Sequence, residues 1–409
     1  MFDAYFWSVV LFFAALAAIM YRNRKSIEFH SYVLAMYRTQ YGKRFIERIA
    51  RKYAAIWKVL STIGIALAFG MMAFGLYTVA LSTQLILSRT ITIPAIQFVI
   101  PLPQAQPVSG LGFIGVPFWF WILIVPFVLF PHEFAHGIIS RVSKVRIKNV
   151  GLMQLLIWSG AFVEPDEEQI KKTKLINKLR IFSAGSIANI SIVLFFLLLT
   201  QYLLWPLSVP NGMMITNVFK GTGADAAGLK PGMTIQKIGG IDARVDYSLF
   251  SASYGYLLFR GQNLTKGNVG NFSTAIELAI VLSDYKPNQT VKVLADGTVY
   301  NVKLSGRPEN ASLPYIGVEL SSQFGAPESS GFLFEFAFPL IWWLTTLGYL
   351  VAVFNLLPIY PLDGGLMMEA VVEKISKRHY KKIVNIITAA VIALMVFGFV
   401  GPSILSNFF

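Results

Sequence analysis

The stretch VPFWFWILIVPFVLFPHEFAHGII, residues 116–139, decides how the rest of the chain is read. A run this apolar is long enough to cross hydrocarbon, which takes about 20 residues. Ionisable side chains within such a run are costly and mark a functional site by default. His132 and His136 are two of only four histidines in the 409 residues. At i and i+4 they lie on one face of a helix, one turn apart, so both imidazoles can converge on one metal ion. Glu133, between them, can accept a proton from an attacking water. An HExxH match in a soluble helix could be two solvated histidines, but hydrocarbon offers no water to solvate them. Zinc is the expected metal, one ion, because imidazole with carboxylate suits it and the chain has no cysteine.

Composition agrees with a membrane protein: 55% of residues are hydrophobic, 14% are charged and the mean hydropathy is +0.59. The formal charge of +14 raises nucleic acid as a partner, yet its distribution argues against one. Of 35 Lys and Arg, ten fall in 21–58, nine in 141–180 and five in 366–382, segments that hold only eight Asp and Glu. Such segments read as cytoplasmic loops beside an anionic leaflet.

Outward from the HEFAH helix, the hydropathy predicts about six transmembrane helices. Residues 1–87 hold two spans, 4–20 and 54–87, around a basic amphipathic segment at 21–53 read as lying on the cytoplasmic surface. Bases follow the first apolar run and Asp3 precedes it, so it reads as a retained helix rather than a cleaved signal. Residues 88–209 form the membrane core. Pro94, Pro101, Pro103 and Pro107 interrupt 88–115, an expected outer loop or membrane-dipping segment. VRIKNVGLMQLLIWSGAFVE, residues 145–164, is too short to span and reads as a hairpin or re-entrant piece, with an interfacial loop as the alternative. The fourth span, 181 to about 204, opens on small and polar residues suited to close packing; Asn189 there either bonds a neighbouring helix or faces the active cavity.

Residues 210–325 change character to an α/β module of nearly balanced charge, expected outside the cytoplasm. Asn263, Asn271, Asn288 and Asn310 open sequons there. The last segment, 326–409, holds a fifth span at 332–357 and a sixth at 383–400. The fifth runs into NLLPIYPLDGG, residues 355–365. Its prolines stop the helix and Gly364-Gly365 permits a close turn, leaving Asp363 at the end of the span where the topology also puts the histidines. Alone, Asp363 reads as a helix cap; together with the two histidines it completes a set of three ligands with an open fourth position.

HEFAH and NLLPIYPLDGG, in this order and spacing, resemble the site-2 protease family of intramembrane zinc metalloproteases over roughly 116–370. The resemblance implies that His132, His136 and Asp363 bind zinc, that Glu133 is the general base, and that Asn355 lies near the substrate or oxyanion. GAFVE, 160–164, looks like the family's hairpin segment that presents an extended substrate, which makes Gly160 and Phe162 candidate substrate contacts. AGSIAN, 184–189, is similar to a family pattern that usually has Pro where Ser186 stands, and adds Asn189 to the substrate candidates. GTGADAAGLKPGMTIQKIGG, 221–240, with VKVLADGTVYNVKL and YIGVEL, resembles a PDZ domain, with residues 247–272 as an unexplained insertion. Such a groove binds peptides by strand addition or filters substrates by size.

The expected protein is therefore a multi-span α-helical membrane protein with an inserted extracytoplasmic α/β PDZ-like domain. It sits in the plasma membrane with its zinc site toward the cytoplasm. It hydrolyses peptide bonds in or near transmembrane segments of other membrane proteins. Its partners are that substrate, the lipid bilayer, and a peptide or substrate ectodomain at the PDZ-like module. The alternatives are a membrane zinc protease that cuts cytosolic loops, a metal transporter and a membrane scaffold.

Overall fold

The computed structural model describes residues 4–29, 34–88, 94–104, 108–110, 112–155, 158–204, 209–243, 271–272, 278, 281–282, 284–307, 311–325 and 336–408. The chain divides into two compact units, one formed by Met1–Phe195 with Trp343–Phe409 and the other by Phe196–Trp342. Six helices among the described residues are long and apolar enough to cross a membrane.

In the first unit α1 (Ala4–Arg22) is followed by two short strands, β1 (Ile27–Phe29) and β2 (Leu34–Thr39), then by α2 (Tyr41–Lys52) and α3 (Ala54–Leu87). The basic amphipathic segment expected at 21–53 thus holds β1, β2 and α2. Helix α2 does present Arg44, Arg48, Arg51 and Lys52 outward, but Ile46 and Ala50 are buried against the rest of the unit. The proline-rich stretch forms a small sheet of β3 (Phe98–Leu102), β4 (Val108–Gly110) and β5 (Phe113–Pro117), in the order β3-β5-β4. Pro101 sits in the edge strand β3, where a missing N–H costs no ladder bond.

Helix α4 (Phe118–Val142) runs through both Pro126 and Pro131. Its start is tied to α1: Tyr5 Oη accepts the Trp119 backbone N–H at 3.1 Å, and Trp119 Nε1 donates to Ser8 Oγ at 3.0 Å. Then β6 (Ile147–Leu155) and β7 (Trp158–Pro165) form an antiparallel hairpin, so residues 145–164 are not a loop. Strands β1 and β2 extend that hairpin into a four-stranded sheet, β1-β2-β6-β7, and leave β7 at the edge. Gly151 in β6 allows this layering, since a Cβ there would collide with the Tyr37 carbonyl and come within 2.6 Å of the Phe162 ring.

After the short helix α5 (Glu167–Lys172) comes α6 (Leu175–Leu199), whose Ser183, Ala184, Gly185, Ser186 and Asn189 are all buried. The second unit begins at the end of this span. Its described strands are β8 (Val209–Val218), β9 (Thr234–Ile238), β10 (Ile241–Ala243), β11 (Asn271–Phe272), β12 (Thr290–Ala295) and β13 (Thr298–Lys303), with a helical turn α7 (Gly223–Ala226) after β8. The pair β14 (Ser305–Gly306) and β15 (Pro314–Tyr315) precedes β16 (Val318–Gly325). The main sheet runs β11-β10-β9-β12-β13, with β8 pairing both β9 and β16. Its core includes Ile215, Ile235, Ile238, Val293 and Val302. Asp296-Gly297 turns β12 into β13, and both residues adopt positive φ, as a tight hairpin requires. Most of the expected insertion at 247–272 lies outside the described residues, as do two of the sequon asparagines, Asn263 and Asn310.

Helix α8 (Phe338–Leu356) ends just before Pro358, and α9 (Asp363–Ile375) starts on the aspartate of the second motif. Between them the chain doubles back: Leu362 N–H donates to the Ile359 carbonyl at 2.7 Å, and Tyr360 N–H donates to Thr388 Oγ1 of α10 (Tyr380–Phe408) at 3.0 Å. A Cβ at Gly364 would collide with the Leu356 carbonyl, and one at Gly365 with the Ile359 carbonyl, so the glycine pair lets α9 close onto the end of α8. Leu356 and Met367 then join Ala68 and Met72 of α3 in one buried cluster.

Gly364→Ala should therefore lower stability by about 1–3 kcal/mol, the usual cost of overpacking. Gly70→Ala, in the same unit and with open space around the position, should melt at or slightly above wild type in detergent, since alanine favours a helix.

Candidate metal centre

The spacing of HEFAH works as the helix geometry requires. The His132 and His136 side chains leave the same face of α4, and their Nε2 atoms stand 3.2 Å apart. Asp363, brought in by the turn between α8 and α9, closes the third side: Oδ1 is 3.3 Å from His136 Nε2 and Oδ2 is 3.6 Å from His132 Nε2. All three side chains are largely buried. They are also the group of metal-ligating side chains found among the described residues.

Helix α6 forms the wall behind this triad. His136 Nδ1 lies 2.7 Å from the Ile181 carbonyl. That oxygen can only accept, so Nδ1 carries the proton and a neutral ring turns its Nε2 lone pair toward Asp363. Two turns along α6 from Ile181, the Asn189 carboxamide lies 3.3 Å from His132 Nδ1. Asn189 Oδ1 is buried without a partner when the amide nitrogen faces His132. Turning the carboxamide over gives that oxygen the His132 Nδ1–H to accept, and leaves Nε2 of this ring free as well. Ser186 Oγ donates to Asp363 Oδ2 at 2.9 Å.

These contacts test whether a cation fits. Two imidazole lone pairs and a carboxylate face one another in a buried site, an arrangement that repels itself unless a positive charge lies between. Two donor atoms each ~2.0–2.1 Å from one tetrahedral ion would stand about 3.3–3.4 Å apart. The separations of 3.2, 3.3 and 3.6 Å bracket that value. Gly185 keeps the space clear, because a Cβ there would collide with His136 Nε2 and lie 2.6 Å from His132 Nε2.

Glu133, next to His132 in the chain, points to a different neighbour. Its Oε2 accepts the Val163 backbone N–H of β7 at 3.0 Å, which fastens the hairpin's edge strand to α4. Phe162 and Gly160 lie on the same strand and pack with their cross-strand partners on β6, the Phe162 ring over Gly151 and the Met153 side chain over Gly160. Asn355 is half-buried in the last turn of α8, and among the described residues no hydrogen bond joins it to the triad. The residues that the motifs did not single out are Ile181 and Ser186. The carbonyl of Ile181 is invisible to side-chain reasoning, and Ser186 was readable only as one of a run of small residues.

With this geometry in view, comparison with known proteins is direct. Residues 120–398 match the model of peptidase family M50, and the chain belongs to that family, the site-2 protease family of membrane metallopeptidases. The chain is also 26% identical to an uncharacterized protein of Methanocaldococcus jannaschii over 365 residues, which covers 88% of this chain and 84% of the relative. The six apolar helices and the family together define an integral, multi-pass membrane protein.

Gly185→Ala should place a methyl group where the two imidazole nitrogens meet and cut metal affinity at least tenfold. Zinc retention after dialysis against a graded chelator series, measured beside the melting temperature, checks this. Wild-type retention in the variant would show that the site lies elsewhere.

Proposed function

We propose that this chain is a zinc-dependent intramembrane endopeptidase that hydrolyses peptide bonds within or beside transmembrane segments of other membrane proteins. The observation that carries the reading is the convergence of His132 Nε2, His136 Nε2 and the Asp363 carboxylate, 3.2–3.6 Å apart, between helices apolar enough to span a bilayer. Zinc held by these three would lower the pKa of its water to about 7 and polarise the scissile carbonyl. Glu133 takes the proton of the attacking water and returns it to the leaving amine.

A transmembrane helix hides its carbonyls in its own hydrogen bonds, so a substrate must unwind before it is cut. Strand β7 supports a way of receiving it. Val163 turns its N–H away from β6 to reach Glu133, and by the alternation of a strand Ala161 turns its N–H and C=O the same way. An extended substrate pairing along that edge would run past the catalytic carboxylate. In this reading Gly160 and Phe162 shape the receiving strand, and Asn355 lies on the substrate side of the turn that carries Asp363. Asn189, which the sequence leaves open between a neighbouring helix and the active cavity, lies 3.3 Å from His132 Nδ1, where it would orient that ring.

The same proposal sets the protein in the plasma membrane, with the basic loops and the zinc site toward the cytoplasm and the sheet unit of 196–342 outside. There the sheet unit acts as a PDZ-like module that meets a peptide or the substrate ectodomain. The bilayer is the other partner, and nucleic acid is not one.

Purified wild-type, Glu133→Gln and Asp363→Ala proteins should be compared on a single-span reporter, with bound zinc quantified in the same samples. Glu133→Gln keeps an oxygen for the Val163 N–H, so it should retain zinc while cleavage falls by roughly 10²-fold or more. Asp363→Ala should lose both zinc and cleavage. Substantial cleavage by Glu133→Gln would sink the mechanism. Zinc flux into proteoliposomes with no cleavage by wild type would favour a transporter.

A further inference from the structure

The Asp363 carboxylate straddles the two histidines, with Oδ1 3.3 Å from His136 Nε2 and Oδ2 3.6 Å from His132 Nε2. Left to itself, such a group can present one oxygen or both to an ion between the rings. Among the described residues, a hydrogen bond from outside the triad reaches Oδ2 alone. Ser186, fully buried in α6, donates its hydroxyl to Oδ2 at 2.9 Å. The same two helices meet at a second point, where Lys178 Nζ lies 2.9 Å from Glu373 Oε2.

We propose that Ser186 is a positioning residue that occupies Asp363 Oδ2 and so leaves Oδ1 as the single carboxylate oxygen for the metal. The inference rests on the zinc-site reading above. Its physical basis is competition. A hydrogen bond to a carboxylate oxygen lowers that atom's availability as a ligand and fixes the rotation of the group, and outer partners of this kind typically change metal affinity 10–100-fold. A one-oxygen Asp363 keeps the count of protein ligands at three, which leaves a position open for water and substrate.

The test uses the full-length chain in detergent as wild type, Ser186→Ala, Ser186→Thr and Asp363→Ala. Zinc affinity is measured by chelator competition, the visible spectrum of the cobalt(II)-loaded proteins is recorded, and melting temperatures are taken without metal. The expected result is a 10–100-fold change in zinc affinity in Ser186→Ala. Its cobalt spectrum should weaken toward that of a higher-coordinate site, and Ser186→Thr, which keeps the hydroxyl, should restore both readouts. Wild-type affinity and an unchanged cobalt spectrum in Ser186→Ala would overturn the inference, even if its metal-free melting temperature fell, since that pattern means packing alone. So would a Ser186→Thr protein that melts like wild type yet behaves like Ser186→Ala. A wild type that binds no zinc, or an Asp363→Ala that binds it normally, would bring down the zinc-site reading and this inference with it.

Discussion

Two imidazole lone pairs and a carboxylate turned toward one another between apolar helices demand a positive charge at their centre. In water the same three groups would be solvated and could drift apart, but here burial removes that escape. The demand explains why each ligand's remaining polar atom is occupied. The Ile181 carbonyl takes the proton of His136, Asn189 faces Nδ1 of His132, and Ser186 donates to Oδ2 of Asp363. The tautomers and rotations that a metal would need are set before it arrives.

All of those contacts come from one helix. Along α6, Ile181, Gly185 and Asn189 recur every four residues, and that spacing matches the four residues between His132 and His136 on the helix it packs against. Small side chains at 183–186 let the two backbones approach closely enough for a carbonyl of one helix to reach a ring of the other. Gly185 is the limiting case, because any side chain there would stand in the space between the imidazoles. Helix α6 thus has two jobs that conflict in most helices: it approaches closely and it supplies polar groups.

The hairpin and the triad are joined through Glu133. Its carboxylate accepts a backbone N–H of the edge strand, so the group that moves protons in the proposed chemistry also anchors the surface proposed to receive substrate. Strands β1 and β2 cover the other edge of the hairpin, which leaves β7 as the open side of that sheet among the described residues. Their contribution was hidden in the sequence because 21–53 is rich in bases, and charge masks a short edge strand well.

Several features were legible from residue types alone. The six apolar runs follow from hydropathy, since a membrane solvent leaves the backbone little choice but helix. His132, Glu133 and His136 are local: five consecutive residues on a helix determine their own relative geometry. Asp363 was readable from its partners in NLLPIYPLDGG, with the glycine pair announcing a close turn that the Leu356 and Ile359 carbonyls do make. What no local pattern could supply is which atoms of distant segments meet. The Ile181 carbonyl has no side-chain signature, Ser186 looks like any small packing residue, and Asn189, open to two roles in the sequence, has its carboxamide 3.3 Å from His132 Nδ1. Sequence by itself determined the helices, the chemistry of the three candidate ligands and the spacing within each motif. Only the tertiary structure decided how α4, α6 and α9 meet, because hydrogen bonds between helices depend on how closely small residues let backbones approach, and that distance is not written in either segment alone.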